Sequence, residues 1–392
     1  MPEFSFRPRD RIELIGWLLL ACFASVMLLS SQSAASFFTY LLTILVLASY
    51  RTWLDLARNE LFILVVVLLL YLSLSVFWSE PWTWRDFGSN LVRTVLVCAF
   101  IIGMALVQLR GQVQLWLRRV MVLVGGGAIV AAVASYLLWP AEESDRLNGL
   151  GQLDTHVVAA LVYGFVSILA LQVWLRESAW LWRIPAGLTM LVATYAIYAS
   201  DSRNAWVSYA LGLSVLLLAE KIRERDLFRS GVIMVGLVAA IALTFLFSNE
   251  TTQALLLPRG TSFRPEIWDQ AITRIFDGHA WFGLGINTDN NFLIVESLIL
   301  HPHNLYLSVL YQGGFVALGM FLLVLWRTLH ELLLAYDEAD AKLALGILGS
   351  ALPAYMLDGH ELLDKIGSTW FLIWLPVAIA VGLRWSRSLQ ET

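Results

Sequence analysis

The sequence is poor in charged residues, and this shortage indicates its class. Asp, Glu, Lys and Arg make up only 14% of its 392 residues, whereas about a quarter of an ordinary soluble domain is charged. It also lacks a basic stripe or a soluble basic domain, so nucleic acid is not expected as a partner. Cysteine is scarce as well. Cys22 and Cys98 both lie within apolar runs, where we expect them to be small core residues.

Long apolar runs fill the chain instead, with a hydrophobic fraction of 59%. They are roughly 17 to 25 residues long, enough to cross a hydrocarbon core, and they lack the alternating pattern of a barrel. The sequence therefore predicts an all-α integral membrane protein, a single polytopic domain over 1–392 with about twelve transmembrane helices. The predicted spans are 12–29, 36–50, 61–78, 90–108, 118–139, 156–174, 180–199, 205–219, 231–248, 304–326, 342–357 and 368–384.

The distribution of basic residues gives the predicted orientation. With a cytoplasmic N-terminus, eighteen of the 26 arginines and lysines fall on the cytoplasmic side, as the positive-inside rule requires. Both termini are then cytoplasmic. The eight basic residues left on the outer side include Arg93, which falls inside an apolar run, and Arg203, which sits in a short turn. An ionisable residue within a span marks a candidate functional site.

One long outer loop, 249–303, interrupts the spans between the ninth and the tenth. Within it, the apolar spacing over 265–276 predicts an amphipathic helix, and residues 279–287 are expected to form a glycine-rich turn. The apolar stretch 291–300 is expected to form a short helix. This composition is typical of a lid that packs over a membrane cavity, and we expect the loop to carry part of an active site.

Two arginines lie where helices are expected to start. Arg203 follows the capping residue type Ser202, and Arg264 precedes Pro265, which we expect at the first helical position. Either arginine could bind an anion together with helix N-terminal amides. Alternatively, Arg203 extends toward lipid headgroups and Arg264 is simply exposed to solvent, because a lone interfacial arginine most often does so.

The loop ends in His301-Pro302-His303-Asn304. A histidine can exchange a proton near neutral pH and so act as a general base toward a sugar hydroxyl. A lone loop histidine is more often a surface residue. The two histidines could also bind a metal, but no Cys, Asp or Glu accompanies them at ligand-like spacing. Asp358, in the last outer loop, could orient a catalytic histidine, or it belongs to a solvated turn.

Several of these motifs occur together in one order. Ser202 and Arg203 are followed by Trp206 and Gly212, Arg264 by Trp268, and a Gly283-x-Gly285 turn by His303-Asn304 and Gly313-Gly314. This order, over roughly 200–320, resembles the O-antigen ligase family of Gram-negative bacteria. His301 offers a second candidate histidine, but the family pattern is His-Asn, which favours His303.

The resemblance implies a membrane glycosyltransferase of the C-type architecture in the bacterial inner membrane, with its active site facing the periplasm. Its donor is an undecaprenyl-diphosphate-linked O-antigen, its acceptor is the lipid A-core, and membrane lipids surround it. It implies neither a cofactor nor a metal. His303 is the expected catalytic base, while Arg203 and Arg264 are expected to bind the donor diphosphate. Asp358, His301, Asn304, Ser202, Trp268 and Arg93 are the expected supporting residues.

The sequence is compatible with other functions. An O-antigen polymerase and a protein O-oligosaccharyltransferase would use the same donor, and the sequence separates them poorly from a ligase. Polymerases often have two sizeable outer loops, however, and this chain has one. A transporter or lipid flippase would show ionisable residues deep in spans, broken helices and repeat symmetry.

Overall fold

Long helices form most of the part of the protein that the structure describes. The computed structural model describes residues 11–139, 146–221, 263–288, 291–294, 297–299, 301–359 and 361–391. The α-helices, in chain order, are α1 (Arg11–Leu28), α2 (Gln32–Ala48), α3 (Tyr50–Trp53), α4 (Glu60–Leu74), α5 (Trp84–Gln108), α6 (Gly111–Leu138), α7 (His156–Arg176), α8 (Trp180–Ala199), α9 (Arg203–Lys221), α10 (Arg264–Phe276), α11 (Leu305–Leu334), α12 (Ala339–Ala354) and α13 (Leu375–Glu391). Short 3₁₀ turns at Leu54–Arg58 and Ser75–Trp78, and a π-turn at Trp370–Trp374, extend three of them.

Many of these helices begin at a residue that satisfies the free backbone amides of the first turn. The side-chain oxygens of Ser31, Asn59, Thr83, Thr155 and Asn304 each accept a hydrogen bond from an amide two or three residues further on. A helix leaves its first four N–H groups without partners, and such caps stabilise the helix by about 1 kcal/mol. The start of each of these helices is therefore determined by a capping residue next to it in the sequence.

Seven helices in the described part of the chain are long and apolar enough to cross a membrane, and the bent pair Gln32–Ala48 and Tyr50–Arg58 supplies an eighth candidate. The expectation of an all-α, multi-pass membrane protein is thus confirmed. Eleven of the twelve predicted spans coincide with helices, while the predicted span 231–248 lies outside the described residues. Because α8, α9 and α12 are not among the seven candidates, the count of twelve stays a prediction.

The core is centred on α7. All fifteen residues from Ala159 to Val173 are buried, as expected of a helix that is hydrophobic on every side. Beside α7, α9 packs very closely against α12. A Cβ atom at Gly212 would lie 2.9 Å from the carbonyl oxygen of Gly346 and 2.7 Å from the Cβ of Ser350. Gly212 therefore permits a helix contact that a larger residue would open.

Helix α11 is broken near its start. Gly314 has φ 65° and ψ −166°, which interrupts the helical path. The rings of Tyr306 and Phe321 are 5.9 Å apart, although fifteen residues of continuous helix would separate these positions by about 22 Å. The two pieces on either side of Gly314 must therefore be bent toward each other.

The glycine-rich turn fills this break. The amides of Leu284 and Gly285 donate to the carbonyls of Tyr311 and Gln312, at 2.8 and 2.9 Å. The amides of Phe315 and Val316, which a continuous helix would direct to those same carbonyls, donate instead to Ala280 and Trp281. Four bonds to the loop thus replace two lost helical bonds.

A small β-hairpin replaces one predicted helix. The stretch 291–300 was expected to be helical, but Phe292–Ile294 and Ser297–Ile299 pair as antiparallel strands. Phe292 is fully buried beside Tyr311, at a ring distance of 5.9 Å, whereas its neighbour Leu293 is exposed. Burial that alternates with every residue is the pattern of a strand. The prediction failed because a short apolar run does not distinguish a helix from a strand.

Candidate active site at the starts of three helices

The first residues of α9, α10 and α11 lie close together, near the loop that follows α12. The Asn204 side chain donates to the carbonyl of Ala354 at 3.0 Å, which ties the start of α9 to the end of α12. The Leu305 amide, at the start of α11, is shared between the carbonyls of Tyr355 and Asp358, at 2.9 and 3.1 Å. Helix N-termini carry partial positive charge, so such a grouping suits an anion.

His303 and Asp358 form the central pair of this site. Nδ1 of His303 lies 3.6 Å from Oδ1 of Asp358. With Nδ1 directed at a carboxylate, the other ring nitrogen, Nε2, is left to exchange a proton with a substrate. His303 adopts a left-handed backbone with φ 50°, which is uncommon for a residue with a Cβ atom. Such conformations concentrate at functional sites.

Asp358 is buried but remains acidic. Burial alone would raise the pKa of its carboxyl group. The contact with His303, a hydrogen bond from the Gly359 amide, and the charges of His303 and His301 outweigh burial and lower the pKa. Asp358 is therefore held as a carboxylate beside the imidazole. Gly359 has φ 84°, a conformation that suits glycine, and this turn brings its amide to the carboxylate.

Around this pair, the remaining residues of the His-Pro-His-Asn segment have separate contacts. The rings of His301 and His303 are 3.9 Å apart, so His301 borders the site. The Trp268 indole N–H donates to the carbonyl of Pro302 at 2.8 Å and fixes the segment to α10. The Asn304 side chain accepts from the Leu307 amide at 3.0 Å and caps α11. Trp268 and Asn304 thus hold the histidines in place.

Arg264 is the first residue of α10 and is partly buried. Pro265 is therefore the second helical residue, one position later than expected. Burial lowers the pKa of Arg264, Asp358 opposes that change, and the charge of Arg203 adds to it. Arg264 thus lies within electrostatic reach of both. A buried cation beside another cation at a helix start is unfavourable unless an anion joins them.

Arg203 opens α9 in the expected way. The Ser202 side-chain oxygen accepts from the Ala205 amide at 3.4 Å and acts as the N-cap, so Ser202 supports the helix start. Asp201, just before it, has a left-handed backbone with φ 51°. The structure therefore brings Arg203, Arg264, His303 and Asp358 to one site, with Ser202 as a structural neighbour.

The chain shares sequence similarity with known proteins. Residues 188–322 match the family model described as O-antigen ligase. The chain is also similar to an O-antigen ligase of Pseudomonas aeruginosa. The two are 29% identical over 340 residues, which cover 84% of this chain and 79% of that protein.

The chain therefore resembles the O-antigen ligase family, whose model matches residues 188–322. The segment that matches the family model contains Arg203, Arg264 and His303. Asp358 lies beyond its end, although it contacts His303. Two glycines of these motifs lie against the backbone of another segment. A Cβ atom on Gly314 would lie 2.3 Å from the Trp281 backbone, and one on Gly283 would lie 2.5 Å from the Gln312 backbone.

Two residues near the site were missed from the sequence. Nη1 of Arg146 lies 2.8 Å from Nε2 of His156, the first residue of α7. Nε of Arg146 lies 3.8 Å from Oδ2 of Asp201. His156 also interacts electrostatically with Asp358. Arg146 is one of the eight basic residues predicted on the outer side, and nothing in its own segment distinguishes it. For His156, the position after the cap Thr155, at the outer end of a predicted span, was the available signal.

Arg93, by contrast, belongs to a second polar cluster. It lies 3.6 Å from Glu361 and 3.9 Å from Asp364, and it donates to Asn90 at 3.3 Å. In the described part of the chain, its hydrogen bonds and ion pairs thus join no residue of the His303 site. Burial and the charge of Asp364 raise the pKa of Glu361 to about 7, whereas the charge of Arg93 opposes this shift. Asn90 also bonds Asn287, which connects this cluster to the glycine-rich turn.

The part of the chain that the structure describes offers no clear group of metal ligands. Among the described residues, no three His, Cys, Asp or Glu side chains are grouped as metal ligands. The cations next to Asp358 are guanidinium and imidazole groups. Guanidinium groups can bind an anion, and an imidazole can move a proton.

Proposed function

We propose that this protein is an O-antigen ligase that transfers an O-antigen glycan from undecaprenyl diphosphate to a sugar hydroxyl of the lipid A-core. The observation that carries the proposal is the grouping of Arg203 and Arg264 with the His303–Asp358 pair. A reaction that expels a diphosphate and deprotonates an alcohol needs cations for the first task and a base for the second. This site offers both, and the similarity to the O-antigen ligase family supports the same reaction.

The donor diphosphate would bind between the two arginines. A guanidinium group presents a planar set of donors that matches phosphate oxygens. The N-termini of α9 and α10, at Arg203 and Arg264, would add backbone amides. As the bond between the anomeric carbon and the diphosphate breaks, its electron pair stays on the diphosphate. The arginines stabilise that charge where it develops, so no metal or other cofactor is required.

His303 would act as the general base. Its Nε2 takes the proton of the acceptor hydroxyl while that oxygen attacks the anomeric carbon. Asp358 stabilises the imidazolium through Nδ1 and holds the ring in orientation. Because the acceptor attacks opposite the departing diphosphate, the anomeric configuration is inverted. His301 lies beside this ring and is a candidate for proton exchange with it.

The proposed architecture places this chemistry at the periplasmic face of the inner membrane. It comprises twelve spans with both termini cytoplasmic, in the C-type glycosyltransferase arrangement. The predicted lid, 249–303, would cover the site from the periplasmic side, although residues 249–262 of it lie outside the described part of the chain. An apolar groove between spans would hold the undecaprenyl tail. The contacts of α10 and the glycine-rich turn with the first piece of α11 support a packed lid.

The test is complementation of a ligase-deficient strain. The wild-type chain is expected to restore the lipopolysaccharide ladder, and Arg203→Ala, Arg264→Ala and His303→Ala are expected to abolish it at matched membrane levels. Arg85→Ala and His279→Ala are the matched controls, because both side chains are exposed. Both controls should restore the ladder.

The other outcomes separate the alternatives. If the wild type leaves the core unsubstituted but changes the chain length of the carrier-linked glycan, the protein is an O-antigen polymerase. If it glycosylates a protein instead, it is a protein O-oligosaccharyltransferase. If the three site variants restore a full ladder, the proposed site residues are wrong.

A further inference from the structure

Arg183 lies in the first turn of α8, at the end of the bundle away from the His303 site. Helix α7 begins at His156, whose side chain interacts electrostatically with Asp358 of that site. Its 21 residues span about 30 Å, roughly the thickness of a hydrocarbon core. The short connection 177–179 then leads into α8. Arg183 is therefore placed at the opposite membrane interface.

Two tryptophans hold the guanidinium group of Arg183. Its Cζ atom lies 5.1 Å from the ring centre of Trp174, on α7, and 5.5 Å from that of Trp180, on α8. Both are cation–π distances. Trp174 itself packs against α8, because a Cβ atom on Gly187 would lie 3.8 Å from its indole nitrogen. Rings from two helices thus orient the guanidinium group.

No anion accompanies this oriented cation. The Arg183 side chain has no ion pair or hydrogen bond within the part of the chain that the structure describes, and its Nε atom is buried. Two arginines nearby are different. Arg176 donates two hydrogen bonds to Glu220, at 2.9 and 2.8 Å. Arg119 donates two to Glu177, at 2.7 and 2.6 Å. A buried guanidinium N–H without an acceptor is unfavourable, so a further acceptor is expected beside Arg183.

The groups around Arg183 are also hydrogen-bond donors. An indole nitrogen can only donate, and among the described residues neither Trp174 nor Trp180 has an acceptor for its indole N–H. The start of α8 has no capping side chain at Ala179 and no acidic residue in its first turn. A cation in the first turn of a helix opposes the helix dipole. Positive charge and donors without an acceptor suit a phosphate group.

An apolar stripe begins next to this group of donors. Ile184, Leu188 and Leu191 are all more than half exposed, at 55, 57 and 69%, and their spacing places them on one side of α8. A free phosphate ion would use none of this surface. A phospholipid would use it, because its headgroup can lie at Arg183 while an acyl chain covers the stripe.

We propose that Arg183, Trp174 and Trp180 form a binding site for an anionic phospholipid, whose phosphate contacts the guanidinium and indole N–H groups. Basic pockets between transmembrane helices bind acidic headgroups in this way. The negative charge of the phosphate would balance the positive charge of Arg183. No residue of the His303 site takes part, so the proposal does not depend on glycan transfer.

The alternative is an arginine that reaches the headgroup region without selecting a lipid, as interfacial arginines often do. Such a residue would not discriminate between headgroups, and its replacement would leave the affinity for each lipid unchanged. A specific site discriminates between lipids that have the same acyl chains. It also weakens when either the guanidinium group or a ring that orients it is removed.

The experiment measures lipid binding to delipidated, full-length protein in detergent by native mass spectrometry. The wild type is expected to bind phosphatidylglycerol several-fold more tightly than phosphatidylcholine with the same chains, because the choline cation would be repelled by Arg183. Arg183→Gln should bind phosphatidylglycerol about tenfold more weakly than wild type, the usual effect of a lost hydrogen bond to a charged group. Arg51→Gln is the matched control, since Arg51 is exposed and packs on one ring, that of Tyr50. It should bind as wild type does.

The role of the rings has its own pair of variants. Trp180→Phe keeps a ring face and loses only the N–H, so its affinity should fall about two- to threefold. Trp180→Leu removes the face as well and should bind more weakly than Trp180→Phe. If Arg183→Gln does not fold, Arg183→Lys takes its place. It keeps the charge but loses the planar donors, and its affinity should fall several-fold.

Three results would overturn the inference. The first is equal binding of phosphatidylglycerol and phosphatidylcholine by the wild type. The second is an affinity within twofold of wild type in a folded Arg183→Gln or Arg183→Lys. The third is complete displacement of phosphatidylglycerol by millimolar inorganic phosphate, which would show a site for a free anion and not for a lipid. Equal affinities of Trp180→Leu and wild type would overturn the orienting role of the rings.

Discussion

Replacement of Asp358 by asparagine tests the proposed mechanism most directly. Asp358→Asn keeps the size and the hydrogen-bonding capacity of the side chain but removes its charge. In the wild type, the carboxylate faces Nδ1 of His303 and would stabilise the imidazolium that forms when His303 takes the proton of the acceptor. Asparagine would stabilise that cation only weakly. It could also donate to Nδ1 and thereby favour the wrong tautomer.

The size of the effect follows from the geometry. Two unit charges separated by the observed 3.6 Å interact by about 4–5 kcal/mol at an effective dielectric constant near 20. Because 36% of the His303 side chain is exposed, screening by solvent reduces this to about 2–3 kcal/mol. The transfer rate should therefore fall by about 30- to 150-fold. The donor KM should change little, because the charge develops only in the transition state.

The assay is glycan transfer by purified protein in proteoliposomes, with kcat and the donor KM measured separately. Asp86→Asn is the control, since it removes one negative charge from the start of α5, where Asp86 contacts Thr83 rather than the site. A folded Asp358→Asn variant with kcat within threefold of wild type would refute the assigned role. A loss confined to the donor KM would place Asp358 in donor binding instead.

Three further predictions concern stability. Gly314→Ala should destabilise the protein by about 3 kcal/mol or more, because φ is 65° and a Cβ atom would meet the loop backbone at 2.3 Å. Glu331 is 1% exposed and is contacted by three arginines, so Glu331→Ala should cost about 3–5 kcal/mol. For Glu361, the folded-state pKa is raised from 4.5 to about 7, so its stabilising contribution is full below pH 4.5 and is lost as the pH rises through 7. Glu361→Gln should therefore melt a few degrees higher than wild type at pH 8 and within a degree of it at pH 5.

Thermal unfolding in detergent measures all three variants. Gly319→Ala is the control for Gly314, because nothing lies within 4 Å of a Cβ atom there. Glu338→Ala is the control for Glu331, because Glu338 is exposed. A Gly314→Ala protein as stable as its control would contradict the described break. Equal loss in both glutamate variants would contradict the buried network. If the difference in melting temperature between Glu361→Gln and wild type does not vary with pH, titration of Glu361 is not its cause.

The sequence was most informative where local rules act. Apolar runs of spanning length predicted the helices, and the amphipathic spacing over 265–276 predicted α10, which is observed as Arg264–Phe276. The order of the motifs pointed to Arg203, Arg264 and His303, and the structure brings these three residues together. Helix caps and hydrophobic periodicity depend on neighbours within a few positions, so a single sequence contains them.

Contacts between distant segments were not predictable in this way. Broken helices were expected of a transporter, yet α11 is broken at Gly314 because the glycine-rich turn takes over its hydrogen bonds. Arg146 and His156 were missed because their relation to Asp201 and Asp358 exists only after α7, α8 and α9 have packed. The hairpin at 292–299 was missed because its burial depends on Tyr311, a residue of another element.

The shared amide of Leu305 has a consequence for the synthesis of the protein. This N–H joins the start of α11 to the carbonyls of Tyr355 and Asp358, about fifty residues later in the chain. The contact between His303 and Asp358 can therefore form only after α12 and the following turn have left the ribosome. The proposed glycan transfer would then require that α12 and the turn after it have been synthesised. A nascent chain that stalls before α12 would lack the pair of His303 and Asp358 on which the proposed reaction depends.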